Sequence, residues 1–285
     1  MTPLVFFGSS EYSLIVLERL LTLSQFKVVL VVTKTDKPFG RDKIITPNPV
    51  AKFAAEHQLN LIQIEVFDEN CKLKIKNYQA ELGLCVAFGP PFFDQEMIDT
   101  FPKGIVNIHP SPLPKYRGAT PGVWQITNGE TTSAVTFFKI DQLPDHGPII
   151  AQIPFEISSS DTSDTFYRRA FTVASNHLDS LLLTESHPQD ESQKSYYPKL
   201  VRNMAQIDWS WSPEKIERFV RAMNPWPIAW TNVFDKNNKN TKIKVISAKI
   251  IDGKIEFEKV VLDGKKATFW SEIKSHYFIN TSPIN

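Results

Sequence analysis

Cysteine is scarce: two in 285 residues, Cys71 and Cys85. That excludes a disulfide framework and a cysteine-built metal site. Cys85 falls in the apolar run "LGLCVAF" and reads as core. No apolar run approaches the roughly 20 residues of a membrane span. The chain runs straight into "PLVFFGSS", without the basic region and apolar stretch of a signal peptide. The expectation is a cytoplasmic protein with no membrane partner. There is no internal repeat. The "GSS" after the first apolar run is not the full glycine fingerprint of a dinucleotide site, so NAD is not expected.

Net charge is also nearly absent, at +1 overall, but it is uneven. Residues 1–199 carry 18 Lys and Arg against 22 Asp and Glu; residues 200–285 carry 14 against 9. A basic C-terminal part suits an anionic partner and equally suits solubility. Length predicts two domains.

What is present is an alternation of strands and helices. "LVFFGSS", "EYSLIVLERLLTL" and "KVVLVVT" read as strand, helix and strand, the unit of a parallel sheet. "PNPVAKFAAEHQL" is a helix with Pro near its start. "NLIQIEV", "LGLCVAF", "GIVNIH", "TSAVTFFKI" and "GPIIAQIPFEI" are strands. "DQEMIDTFP" is a helical turn and "GVWQITNG" a helix. "DTFYRRAFTVASNHLDSLLL" reads as one helix capped by Asp161 or Ser163. Residues 185–199, "ESHPQDESQKSYYPK", are polar with two prolines and read as linker. Beyond them "IERFVRAM" is a helix. "AWTNVF", "TKIKVISAKII", "GKIEFEKVVL" and "KKATFW" are short strands joined by Asn, Lys, Gly and Asp turns, the texture of a small OB-like β-barrel.

The stretch "VNIHPSPLPKYRGATP" carries the chemistry. Its prolines end the strand and stiffen the loop that follows. Residues i and i+2 of a strand share a face, so Asn107 and His109 project together. They do so at a strand's carboxyl end, where open α/β sheets place their sites. Asp145, in the loop "DQLPDHG" after another strand, is placed to orient His109, with His146 beside it as a rival base. An amide for an oxyanion, an imidazole for a proton and a carboxylate for orientation, with no nucleophilic Ser or Cys elbow, suit direct acyl transfer to an amine. Each residue also has a plainer reading, as cap, packed ring or turn former.

The same stretch resembles the N-x-H-x-S-L-L-P-x-x-R-G signature of the folate-dependent formyltransferases. "DQLPDHGPII" resembles their D-x-G-L-D-T-G loop. "VTKTDKPFGRDKIITPNPVAKFAAEH" and "YYPKL…IDWSWSPEKIERFVRAMNPWPIAWT" resemble the insertion loop and the C-terminal domain of the branch acting on charged initiator tRNA. The resemblance implies a Rossmann-like catalytic domain over 1–184, a linker over 185–202 and a tRNA-binding barrel over 203–285. It implies 10-formyltetrahydrofolate as donor, no metal, and a monomer. It places Asn107, His109 and Asp145 in catalysis. Ala87, Phe88, Gly89, Ser111, Pro112, Leu113, Pro114 and Asp141 fall around the folate. Arg41 falls on the tRNA. Lys242, Lys244 and Lys249 read either as contacts to its phosphates or as the solvent face of a strand. Pro112, Leu143, Pro144 and His146 depart from the signatures and touch the folate loops. Three alternatives stay open: a nucleotide-sugar acceptor, which would not need the Lys34–Thr46 loop, a formyl-folate hydrolase and a non-catalytic RNA-binding relative.

Overall fold

The chain begins with strand β1 (Thr2–Gly8), whose neighbours decide everything that follows. A computed structural model describes residues 1–39 and 44–279. Among these, β1, β2 (Phe26–Lys34), β5 (Leu61–Ile64), β6 (Leu82–Val86), β7 (Ile105–His109), β8 (Thr132–Lys139) and β9 (Ile149–Glu156) form one sheet in the order β5-β2-β1-β6-β7-β8-β9. The first five are parallel, and β8 runs antiparallel to β7. The strands β3 (Lys37–Phe39) and β4 (Ile44–Thr46) pair as a separate two-stranded ribbon. Chain order reverses between β1 and β6, so a crevice opens beyond their carboxyl ends.

Both faces of the sheet are buried, as near-continuous apolar strands require. Leu4 and Phe6 face a layer built with α1 (Glu11–Leu21), α2 (Pro49–Glu56), α6 (Ser163–Ser175) and α7 (Leu178–Leu181). Val5 and Phe7 face the other layer, with α3 (Glu69–Lys76) and α4 (Gln95–Asp99). The helix α3 was not expected from periodicity; only the Asp68 cap, which accepts from Cys71 N–H at 2.7 Å, signals it. The segment expected as one helix after Asp161 is two. Asn176 and His177 are weak helix formers, and the His177 ring and backbone N–H turn back to Val173 and Ala174 carbonyls at 2.9 and 3.0 Å.

Contacts divide the chain into two units. One comprises Met1–Gly118, Ser133–Phe155 and Tyr167–Tyr196; the other comprises Ala119–Thr132, Glu156–Phe166 and everything from Tyr197 on. The second unit holds α5 (Pro121–Asn128) and α8 (Pro213–Ala222). Its antiparallel half-barrel is ordered β13-β12-β11-β10-β14, from β10 (Ala229–Asp235), β11 (Asn240–Ile251), β12 (Lys254–Leu262), β13 (Thr268–Phe269) and β14 (Tyr277–Ile279), with α9 (Trp270–Ile273) after β13. Ile243 and Val245 of β11 are buried, while Lys242 and Lys244 alternate to solvent. Register irregularities between Val245 and Ala248 bend the strand, as bulges do. Ile216, Phe219 and Val220 of α8 are buried, and the helix packs against β11. No helix among the described residues is long and apolar enough to cross a membrane.

Phe7 is fully buried and meets four other aromatic rings edge-on, those of Phe67, Phe88, Phe93 and Phe101, at 5.0–6.1 Å. Phe7→Ala is expected to lower unfolding stability by about 3–5 kcal/mol, because transfer and cavity terms add. Urea unfolding of the full chain measures this.

Candidate functional site

Ile105, Asn107 and His109 share one face of β7, the face toward α3 and α4, while Val106 and Ile108 pack into the opposite layer. Asn107 stands between Cys85 of β6 and Phe138 of β8 in register; its side chain is half-buried. His109 is 5% exposed. Its Nε2 lies 3.1 Å from the Tyr116 carbonyl oxygen. A carbonyl only accepts, so Nε2 carries the hydrogen. Nδ1 then faces Asp145 Oδ1 at 3.5 Å, an ion-pair distance longer than a formed hydrogen bond. A proton arriving at Nδ1 completes an imidazolium with an acceptor on each nitrogen. The other oxygen of Asp145 accepts from Gly118 N–H at 2.8 Å.

The loop from Pro110 to Gly118 therefore supplies one partner to His109 and one to Asp145. Its prolines offer no N–H, and side chains close it instead. Ser111 Oγ donates to the Lys115 carbonyl at 2.8 Å. Thr136 Oγ1 donates to the Ser111 carbonyl at 2.6 Å and accepts from Leu113 N–H at 3.3 Å. Gln152 donates to the Leu113 carbonyl at 2.6 Å. Tyr116 (φ 61°) and Asp145 (φ 52°) both adopt the left-handed region. Such residues cost about 1–3 kcal/mol each and persist only where surroundings hold them. Gly147 has no freedom to change: a Cβ there would lie 1.8 Å from the Lys139 carbonyl oxygen, so the loop carrying Asp145 folds hard against the end of β8.

The remaining expected residues divide by where their side chains go. Ser111 and Leu113 are buried and serve the loop; Pro112 and Pro114 shape it. Ala87 (φ 46°) and Gly89 (φ 69°) follow β6 as exposed residues, and a Cβ on Gly89 would meet nothing within 4 Å. Between them the Phe88 ring turns into the core, 5.8 Å from Phe7. Lys34 Nζ lies 3.9 Å over the Phe88 ring and hydrogen-bonds the Pro90 carbonyl; burial pushes its ammonium down to about 8. Asp141 accepts from Leu143 N–H at 3.0 Å and pairs with His146 Nδ1 at 2.6 Å. His146 is thus held by Asp141 and stands 3.8 Å from Glu191, while it is His109 that meets Asp145. Burial pushes the Cys85 thiol up to about 12, so it is no thiolate nucleophile at neutral pH. Lys242 and Lys244 lie on β11 in the second unit, Lys242 with Nζ 3.5 Å over the Trp230 ring. Arg41 lies outside the described residues. Among the described residues no group of three His, Cys, Asp or Glu is placed to hold a metal.

Composition gave no sign of one further contribution. Gln189, Glu191, Ser195 and Tyr196, from the stretch that reads as linker, all bond to the loop around Arg117. The signal available was Arg117 itself, a cation that this loop buries completely.

The family model described as formyl transferase matches residues 3–182, and that described as formyl transferase, C-terminal domain, matches 199–282. The chain belongs to the formyl transferase family. A methionyl-tRNA formyltransferase of Staphylococcus epidermidis is 31% identical over 261 residues, covering 89% of this chain and 82% of that protein. Among solved structures, methionyl-tRNA formyltransferase from Clostridium thermocellum superposes with a TM-score of 0.62 at 18% identity, covering 92% of this chain and 99% of that one. An N-formyltransferase from Helicobacter canadensis, solved with folinic acid and dTDP-3-aminofucose, gives 0.64 at 20% identity, covering 92% and 95%. At such identities the solved structures speak for the fold.

Gly147→Ala is expected to displace Asp145, because the obstructing atom is backbone and cannot rotate away. Its stability should fall by about 1–3 kcal/mol, the usual effect of overpacking, and formyl transfer should fall with it. Thermal unfolding and turnover on the same preparation test this. Unchanged turnover would show that the Lys139 carbonyl does not set the loop.

Proposed function

We propose that this formyl transferase moves a formyl group from 10-formyltetrahydrofolate to the amino group of methionyl-tRNA, the charged initiator. The observation that carries the reading is Asn107 and His109 on one strand face, with Asp145 held 3.5 Å from the imidazole. The methionyl-tRNA formyltransferase relatives at about one-third identity support this acceptor.

When bound, the donor supplies a formyl group already activated on nitrogen. The exposed turn at Ala87 and Gly89, beyond the carboxyl end of β6, and the loop from Asp141 to Gly147, which folds back to set Asp145 at His109, are where a flat heterocycle edged with donors and acceptors would sit. The attacking amine must lose a proton. His109 with Asp145 takes it at Nδ1, completing the imidazolium between Asp145 and the Tyr116 carbonyl. The side-chain amide of Asn107 donates to the oxygen that becomes negative, and as the formyl C–N bond to the donor nitrogen breaks, the His109 imidazolium returns its proton to that nitrogen, which leaves as a neutral amine. The protonated, buried Cys85 supports direct transfer without an enzyme-bound acyl group. Residues 1–184 carry this chemistry in our reading. Residues 203–285, with Lys242 and Lys244, and Arg41 in the first part, hold the tRNA, mainly through phosphates.

Incubation with charged initiator tRNA and 10-formyltetrahydrofolate should yield formyl-methionine. Formylation of a nucleotide-linked amino sugar with none of methionyl-tRNA would overturn the acceptor and leave the chemistry standing. Asn107→Ala should lower kcat by about 10²–10³-fold with the fold intact, as for loss of an oxyanion donor. Wild-type turnover in that variant would remove Asn107 from catalysis.

A further inference from the structure

Neither family model reaches residues 183–198. Within that gap, Gln189 Nε2 donates to the carbonyl oxygens of Asp145 and Gly147 at 3.0 and 2.8 Å. Its Oε1 accepts from Arg117 Nη2 at 2.6 Å. Glu191 receives both terminal nitrogens of Arg117, at 2.5 and 3.2 Å, and Tyr196 Oη accepts from Nη1 at 2.8 Å. Ser195 takes Tyr116 N–H on its Oγ and Arg117 N–H on its carbonyl, both at 2.9 Å, and donates its own N–H to Pro114 at 3.2 Å.

These bonds end on the groups that His109 and Asp145 lean on. Ser195 fixes the residue whose carbonyl receives His109 Nε2. Arg117 immediately precedes the Gly118 N–H that holds Asp145 Oδ2. Gln189 spans from that guanidinium to the backbone of Asp145 itself. Two residues in left-handed conformations, Tyr116 and Asp145, are thereby held from one segment.

We infer that Gln189–Tyr196 is a strap that positions the His109–Asp145 pair, and that Gln189 is its principal positioning residue. This rests on the catalytic reading of that pair. Gln189 places its hydrogen bonds on the Arg117 guanidinium and on main-chain carbonyls. It sets the backbone from which the carboxylate is aimed.

Two substitutions separate positioning from folding. Gln189→Leu removes the bonds to Arg117 and to the loop together. Gln189→Glu keeps an acceptor for Arg117 but sets a carboxylate against two carbonyl oxygens, so it keeps the guanidinium partnered and loses only the loop bonds. In the full chain, both should lower kcat for formylating charged tRNA by about 10- to 100-fold, the scale of a displacement near 1 Å. KM for donor and for tRNA should stay within about twofold. In an Asp145→Asn background, Gln189→Glu should lower kcat by less than about twofold more, since it acts through Asp145. Wild-type kcat in Gln189→Glu would overturn the inference. So would an undiminished effect beside Asp145→Asn, or a Gln189→Glu chain that does not fold, which would make the residue a folding determinant only. Wild-type turnover in Asp145→Asn alone would instead overturn the catalytic reading beneath it.

Discussion

The buried guanidinium of Arg117 organises the loop that partners His109 and Asp145. Arginine keeps its charge at any pH the protein meets, and a buried charge without acceptors is prohibitive. The fold answers by bringing Gln189, Glu191 and Tyr196 to its terminal nitrogens. Since Arg117 lies between Tyr116 and Gly118, satisfying the charge also fixes the loop that partners His109 and Asp145. The bond to Arg117 holds the Glu191 carboxyl below its usual range. A carboxyl depressed in the folded state contributes stability above its unfolded pKa and loses it as pH falls through the folded one. The tie is therefore complete at neutral pH and loosens only in acid.

Asn107 and His109 were readable because strand periodicity is rigid. Once "GIVNIH" is a strand, they must share a face, and its carboxyl end must open on the crevice. Asp145 was readable as a loop residue after another strand, but its nearness to His109 does not follow from the β7–β8 pairing, which sets Lys139 against Val106 and Thr136 against His109; the loop after Lys139 folds back to bring the carboxylate there. The parallel sheet was equally readable from alternating apolar runs. The strap was not. Its residues are polar, flanked by Pro188 and Pro198 and mostly exposed, the composition of a linker. Its bonds run to residues some 70 positions earlier, which no local pattern encodes. The helix α3 escaped for a related reason: Lys and Asn dilute its apolar face to Cys71 and Ile75.

Signature residues also proved to do different physical work. Ser111 and Leu113 are buried within the loop and tie it to Thr136 and Gln152, and Phe88 packs among aromatic rings. Their identities are explained by the shape they give the strand ends. Ala87 and Gly89, with their unusual torsions, are left exposed to solvent. A motif thus mixes residues that present chemistry with residues that hold the presenting backbone, and only the three-dimensional bonds sort one from the other.

The same distinction applies to charge. The basic residues after position 199 are not equivalent, because several of them are paired with carboxylates. Lys249 lies 3.5 Å from Glu258, Lys274 3.5 Å from Glu256, and Arg221 2.6 Å from Glu217. Lys242 is different: its partner is the Trp230 ring, which orients the ammonium without neutralising it. Lys244 follows on the same exposed face of β11. Since strand alternation sends Ile243 and Val245 inward, it forces these two ammonium groups outward together. Counterion release scales with the phosphates neutralised. On β11, the face open to an anion is therefore the one that carries Lys242 and Lys244.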